Sequence, residues 1–455
     1  MPYGCASPRP PVVHFAKVRA SRRGQCVTKG GMTDKTNSES THAGVPALLS
    51  EFTSLWWEGD SSFPDLGPLV SHAERRENER RLACVVDQAL AEIKHPPTDP
   101  EARKLSEQRL ALAGREFVKA TLGLDDVHLD TLQHGGFIEC GREFARLVHE
   151  FDPTVSREDT FQASRNVWTM NGVQRMLGLP VRMTPSVFAY SLLYPYTDNA
   201  LDQPDVFEEA KLRANERFGR RLEGEKLLPE ASDEEKLFRL LEKIETEYSR
   251  DVAPQVYESL YAIHAAQARS VRLMRRDEPP YGVDVLGIAL EKGGASVLAD
   301  GYLVAGSLTL SQARLLFGLG ALLQLGDDLQ DVEDDRAKGL ATIFSQTAKR
   351  WPLDRLTNRL FHFHERVLEH LACLDAPEAA PLADLMRKAT FHLILDAAGS
   401  TPRLYSGAYI KALEVHSPFR FRELARQRRR LERERTSAFA LLATAMSAGT
   451  PTSST

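Results

Sequence analysis

The chain of 455 residues has little that would cross-link or anchor it. Its five cysteines, Cys5, Cys26, Cys84, Cys140 and Cys373, are odd in number and scattered, with no CxxC pair. That excludes a disulfide framework or a thiolate zinc site as the organising principle and favours a reducing, cytoplasmic setting. No run of about 18 uninterrupted apolar residues exists, so no transmembrane helix is expected. Basic residues are not in excess: Lys+Arg 58 stand against Asp+Glu 63, a formal net charge of -5. A general nucleic-acid binder should be basic across a whole domain, so nucleic acid is not an expected partner. Alternating β-branched runs are almost absent, and no Asn-Gly or Asp-Gly turn separates two strand-like segments.

What remains is helical texture. Ala73–Lys94 and Thr98–Leu122 each carry a charged face and an apolar stripe. Ser156 with Asp159, and Ser232 with Glu235, read as helix starts of the capping-box kind. An all-α protein of roughly a dozen helices is expected, and no repeat period suggests a solenoid. The first 33 residues hold six basic and no acidic residues, as in a targeting peptide, a disordered tail or sequence upstream of a later start at Met32. The simplest partition is a tail over 1–45, one helical domain over 46–440 and a tail over 441–455.

Two acidic clusters carry the chemistry. In Tyr194-Pro195-Tyr196-Thr197-Asp198-Asn199-Ala200-Leu201-Asp202, Asp198 and Asp202 are four apart and share a helix face. Pro195 suits a helix start or kink, and Pro204 should end the helix near Gln203. Both acids then sit in the last turns, where the macrodipole disfavours anions, so a cation is the natural partner. In Gln324-Leu325-Gly326-Asp327-Asp328-Leu329-Gln330-Asp331, Asp327 and Asp331 share a face with Gln324 and Gly320, at the close of an apolar helix beginning near Thr309. The small Gly320 would leave room for a bulky ligand. Oxygen-only donors select a hard cation: Mg²⁺ first, Mn²⁺ as the alternative. Two such clusters facing one another across a helical bundle would hold a diphosphate between them.

Here the chain resembles a known superfamily, the class I isoprenoid synthases. The second cluster looks like the second aspartate-rich motif of trans-prenyl diphosphate synthases, with Asp328 inside it. Ala289 to Asp300, with Lys292, is similar to the lysine-containing helix before that motif. Asp198-Asn199-Ala200-Leu201-Asp202 looks like the first motif, with Asn in place of its second Asp. Asp331 to Gly339, with Arg336 and Lys338, resembles a D-x-x-x-D segment of squalene and phytoene synthases. The resemblance covers roughly residues 160–345. It implies a single helical bundle around a central apolar cavity. At its mouth Asp198, Asp202, Asp327, Asp328 and Asp331 hold Mg²⁺, while Lys292, Lys338, Arg336 and Gln324 hold the diphosphate. Trp168, Phe188, Tyr190, Tyr194 and Tyr302 are the expected cavity aromatics, whose ring faces would stabilise an allylic cation. A prenyl diphosphate is the implied substrate and a homodimer an implied assembly.

The chain departs from the elongating synthases in lacking Arg-Arg-Gly after the first motif and Gly-Lys-Arg before it. Arg165, Arg175 and Arg182 are available upstream but match no motif. Cyclisation by a terpene synthase is therefore the leading expectation. Chain elongation and head-to-head condensation follow, and a non-catalytic helical interaction protein is the contrasting one. The weaker signals are His362-Phe363-His364-Glu365 with His370, which lacks HExxH spacing, and the arginine-rich stretch 420–435, which reads as a charged helix face.

Overall fold

The stretches from Val285 and from Leu310 are apolar on every side, and such helices fold only where neighbours enclose them. In the computed structural model they do so at the centre of the molecule. The structure describes residues 44–433 apart from 96, 134–135, 203–207, 271–272, 274–281 and 375–378; side chains at 100, 107, 131–133, 194–195, 197–202 and 208–212 also lie outside the description. The expected tails over 1–45 and 441–455 fall almost wholly outside it.

The described residues form eighteen α-helices and no strand. The first six are α1 (Val45–Glu58), α2 (His72–Lys94), α3 (Pro100–Leu122), α4 (Asp126–Gln133), α5 (Phe137–Phe151) and α6 (Arg157–Met176). Then come α7 (Pro185–Asp202), α8 (Glu208–Leu222), α9 (Ser232–Glu247), α10 (Pro254–Ser270), α11 (Val285–Ala305) and α12 (Leu310–Gln330). The last six described are α13 (Val332–Lys338), α14 (Ile343–Thr347), α15 (Asp354–Glu369), α16 (Ala379–Ser400), α17 (Gly407–Glu414) and α18 (Phe421–Glu432). The count exceeds the expected dozen partly because α4, α13, α14 and α17 are too short to show a periodic stripe. Among the described residues no helix is long and apolar enough to cross a membrane.

The α11–α12 pair is the hub, enclosed by α1, α6, α7, α10, α15 and α16. The two helices run antiparallel, since Gly293 meets Gly320 while Gly301 meets Leu316. Glycine sets their distance. A Cβ on Gly320 would lie 2.1 Å from the Gly293 carbonyl oxygen, and one on Gly293 would lie 2.4 Å from that of Gly320. The room expected above Gly320 is thus filled by the neighbouring backbone, and Gly293-Gly294 is a close-packing element.

Local chemistry explains the ends. Thr309 and Gln312 form a reciprocal capping box at the start of α12. Ser156 accepts from the Asp159 N–H as expected. Ser232 does not cap α9: it is the first helical residue, and Ala231 holds the cap position without a side-chain bond. Pro195 lies inside α7 rather than at its start, and α7 stops at Asp202, just before Pro204.

Candidate functional site

At the α12–α13 junction Asp331 breaks the helix axis, serving as last cap of one helix and first of the next. Its N–H donates to the Asp327 carbonyl at 2.9 Å, and its own carbonyl accepts from Asp335 N–H at 2.8 Å. The turn crowds Asp327, Asp328, Asp331, Asp334 and Asp335 onto nine residues. Asp328 points inward and is 7% exposed. One of its oxygens accepts from Gln324 Nε2 at 2.9 Å, and the other is buried with no partner. Burial pushes its carboxyl up to about 7, with the Asp335 and Asp327 charges adding to the shift against Gln324 and Lys292. Asp335 rises to about 6, chiefly through burial and then through Asp331, while Lys338 opposes. Asp327 is open to solvent on one side, yet the protein crowding it still raises its pKa; Arg165 and Lys292 pull it back down.

Those opposing charges place two cations at the acidic turn. Lys292 arrives from α11 because the glycine contact brings the helices together one turn away. It is half-buried and makes no hydrogen bond or ion pair with the described residues. Its neighbour Glu291 is not a surface acid, because Arg269 of α10 holds it at 2.5 Å and only 13% of its side chain is exposed. Arg165 arrives from α6 and matches no sequence motif. Its one described side-chain bond is a long one, 3.4 Å to Gln162 one turn earlier. Lys338 and Arg336 are exposed on α13, Lys338 within electrostatic reach of Asp335. Gln324, expected to face a ligand, is engaged by Asp328 instead.

The side chains of Asp198 and Asp202 lie outside the described residues, but the helix that carries them is placed. Glu247 accepts the Ser186 N–H at 2.9 Å, and the next residue, Tyr248, donates to the Leu303 carbonyl at 2.9 Å. Further along α7, Tyr190 donates to the Ser296 carbonyl at 3.5 Å. Rising numbers on α7 therefore meet falling numbers on α11, so the two helices are antiparallel. Position 198 lies seven residues beyond Ser191, about 10 Å along the axis. Lys292 lies eight residues back from Asp300, about 12 Å. Since Asn166 ties Ser191 (3.3 Å) to Asp300 (3.2 Å), the last turns of α7 and the acidic turn end at the same end of the bundle.

That tie is a second feature absent from the sequence reading. Asp300 is fully buried, burial holds its carboxyl well above the usual range, and one oxygen has no partner. Through the Asn166 amide it links α6, α7 and α11.

The aromatic residues divide. Trp168, three positions after Arg165 on the same face of α6, is 55% exposed. Phe188 is core: it packs on Phe144 and Phe151, each at 5.9 Å, with Lys243 over its ring. Tyr302 is 1% exposed between α10 and α11. Both rings are buried in the core. Tyr190 borders a cavity of about 30 Å³, enough for a water or two. The Tyr194 side chain lies outside the described residues. The histidines also find structural roles: His364 is buried on Thr390 at 2.8 Å, His362 holds the Ser62 carbonyl and His370 packs on Phe52.

Among the described residues no three acidic, histidine or cysteine side chains converge as a metal-holding group. The donor set nevertheless fits a hard cation: carboxylate oxygens, a raised pKa on three of them and an orphaned buried oxygen. No protein-family model matches the chain, and no curated protein sequence matches it significantly.

Proposed function

We propose that the chain is a Mg²⁺-dependent class I isoprenoid synthase that ionises a prenyl diphosphate to an allylic carbocation. The observation that carries this reading is the convergence of Lys292 and Arg165, from separate helices, on Asp327 at a turn of carboxylates with raised pKa values. Carboxylates alone suit a cation; carboxylates beside cationic groups that have no ion-pair partner among the described residues suit a cation together with a multiply charged anion. When bound, Mg²⁺ supplies Lewis-acid neutralisation of the charge that develops on the leaving diphosphate. Asp327 and Asp331, with Asp198 and Asp202 from α7, would hold it. Lys292 and Arg165 would bind phosphoryl oxygens, the lysine as a compact point charge and the arginine as a fork. Trp168 offers a ring face beside Arg165 for the developing cation.

Within this class, a reaction without isopentenyl diphosphate is favoured. Arg165 and Lys292 serve one anion site. Arg175 stands ten residues beyond Arg165 on α6, about 15 Å along the axis, and Arg182 lies at that far end, bonded through its backbone to Gln174. Neither of these two arginines therefore sits beside Arg165 as a second anion site. The test is release of diphosphate from farnesyl and geranylgeranyl diphosphate with and without Mg²⁺, followed by product analysis with and without isopentenyl diphosphate. Cyclic or hydroxylated products independent of isopentenyl diphosphate are expected. Longer diphosphates formed only with it would assign elongation instead, and no Mg²⁺-dependent release would leave the fold as a non-catalytic helical protein.

A further inference from the structure

Many of the described arginines are held by acids. Arg217 meets Glu234 at 2.6 Å, Arg221 meets Glu245 at 2.6 Å, and Arg428 and Arg430 of α18 meet Asp396 and Asp87, each at 2.5 Å. Two arginines at the start of α15 are not, and they share a cavity of about 660 Å³. Its lining includes Ser61, Thr347, Trp351, Asp354, Arg355 and Arg359. Neither arginine has a carboxylate within ion-pair distance among the described residues. Asp354, which lines the same cavity, is engaged by Ser406: one oxygen accepts the Ser406 N–H at 3.0 Å and the other its hydroxyl at 2.5 Å. The neighbouring Asp60 is engaged likewise by Ser61 and Ser62 of its own loop. Arg355 makes one long bond to the Ser61 hydroxyl, 3.3 Å. Arg359 lies over the Trp57 ring at 5.4 Å, and its Nε is buried with no partner.

A buried guanidinium nitrogen without an acceptor is destabilising, and two guanidinium forks free of acids in one concavity are complementary to a phosphate. The indoles define the remainder of the occupant. Trp351 is 67% exposed at the rim and Trp57 is 62% exposed beneath Arg359, although large apolar rings are usually covered. A flat ring stacking on such a surface gains on the order of 1–3 kcal/mol. The hydroxyls of Ser61 and Thr347 add neutral hydrogen-bonding groups. The volume lies within the range of small-molecule sites, about 300–1,000 Å³.

We infer that this cavity, built by α15, the 347–353 turn and the Ser61 loop, is a second ligand site, taking a phosphorylated molecule with a flat aromatic ring, the chemistry of a nucleoside phosphate. Arg355 and Arg359 bind the phosphate, and Trp351 stacks the ring. The site needs neither Mg²⁺ nor the acidic turn. The probe is therefore adenosine monophosphate, titrated into the full chain with chelator present and followed by tryptophan fluorescence and calorimetry. Saturable binding with a Kd at or below about 1 mM is expected. R355Q and R359Q should each weaken it at least about fivefold, and W351A should remove most of the quenching, with melting temperatures within a degree or two of the parent. Because Arg359 packs on the Trp57 ring, R355Q decides the matter if R359Q does not fold. Absence of saturable binding would overturn the inference, as would unchanged affinity in R355Q. Equal affinity for inorganic phosphate would overturn the role of the ring. Binding seen only with vesicles containing anionic phospholipid would reassign the patch to a lipid surface.

Discussion

The α8–α9 pair and the α12–α13 turn are both crowded with charge, and they treat it in opposite ways. Between α8 and α9, Arg217 and Arg221 cross to Glu234 and Glu245, and these guanidinium groups hold both carboxyls below the usual range against the effect of burial. At the α12–α13 turn, burial and mutual repulsion hold Asp327, Asp328 and Asp335 above it, and the nearby cations only partly offset this. The first arrangement is complete in the folded chain. The second leaves charge uncompensated, and under the proposed function it would become favourable when a cation and an anion bind. The sign of the pKa shift separates acids whose charge is balanced inside the folded chain from acids whose charge is not.

The comparison breaks most visibly in D327A. Turnover of prenyl diphosphate should fall by at least about 10³-fold, or about 4 kcal/mol, with no loss of melting temperature, because a repelling charge has gone. D198A should behave alike. Steady-state kinetics beside thermal melts check the pair of outcomes, and full Mg²⁺-dependent activity in either variant would remove that residue from the ligand set. E234A should show the converse. It removes the Glu234 bonds and leaves Arg217 with Glu230 and the Leu228 carbonyl, so it should lower unfolding stability while kcat stays within about twofold. Urea denaturation measures the first effect.

K292A sharpens the distinction from within the turn. It should lower kcat/KM by about 2 kcal/mol, with part of the loss in kcat, because a contact to the leaving group strengthens as charge develops. K292R should recover only part of it, since a planar fork does not replace an ammonium. The smallest effect concerns pH. Asp328 binds its proton more tightly folded than unfolded, so its contribution to stability is full near pH 4 and is lost as pH rises through about 7. In chelator, the parent should therefore lose stability between pH 5 and pH 8. D328N should flatten that slope by about 1 kcal/mol, and urea midpoints at the two pH values would reveal a slope left unchanged.

The helical class was legible because the chain offers period-3.6 stripes and no strand pattern. The acidic segments were legible too: Asp198 and Asp202 fall on α7, and Thr309 starts α12. The partners of the acids were not. Arg165 is one of 58 basic residues, and only the packing of α6 across the bundle brings it to Asp327, 162 positions away. Gly320 was read as space because a single sequence cannot say that Gly293 fills it. The cation that holds Glu291, Arg269, lies on the previous helix, where spacing along α11 does not show it. Asp300 sits in a helix apolar on all sides, where nothing local distinguishes a clamp from a surface acid. Spacing along one helix reveals which groups share a face, whereas charge balance depends on what another helix places opposite.

Whether the acidic turn awaits a cation is tested most directly by thermal melting of the full chain in Mg²⁺ with inorganic pyrophosphate, against the double variant D327N/D331N. The parent should gain several degrees as Mg²⁺ and pyrophosphate saturate the site, and the variant, already relieved of repulsion, should gain almost nothing. No gain in the parent, or the same gain in the variant, would contradict the assignment of these carboxylates as the metal and diphosphate site.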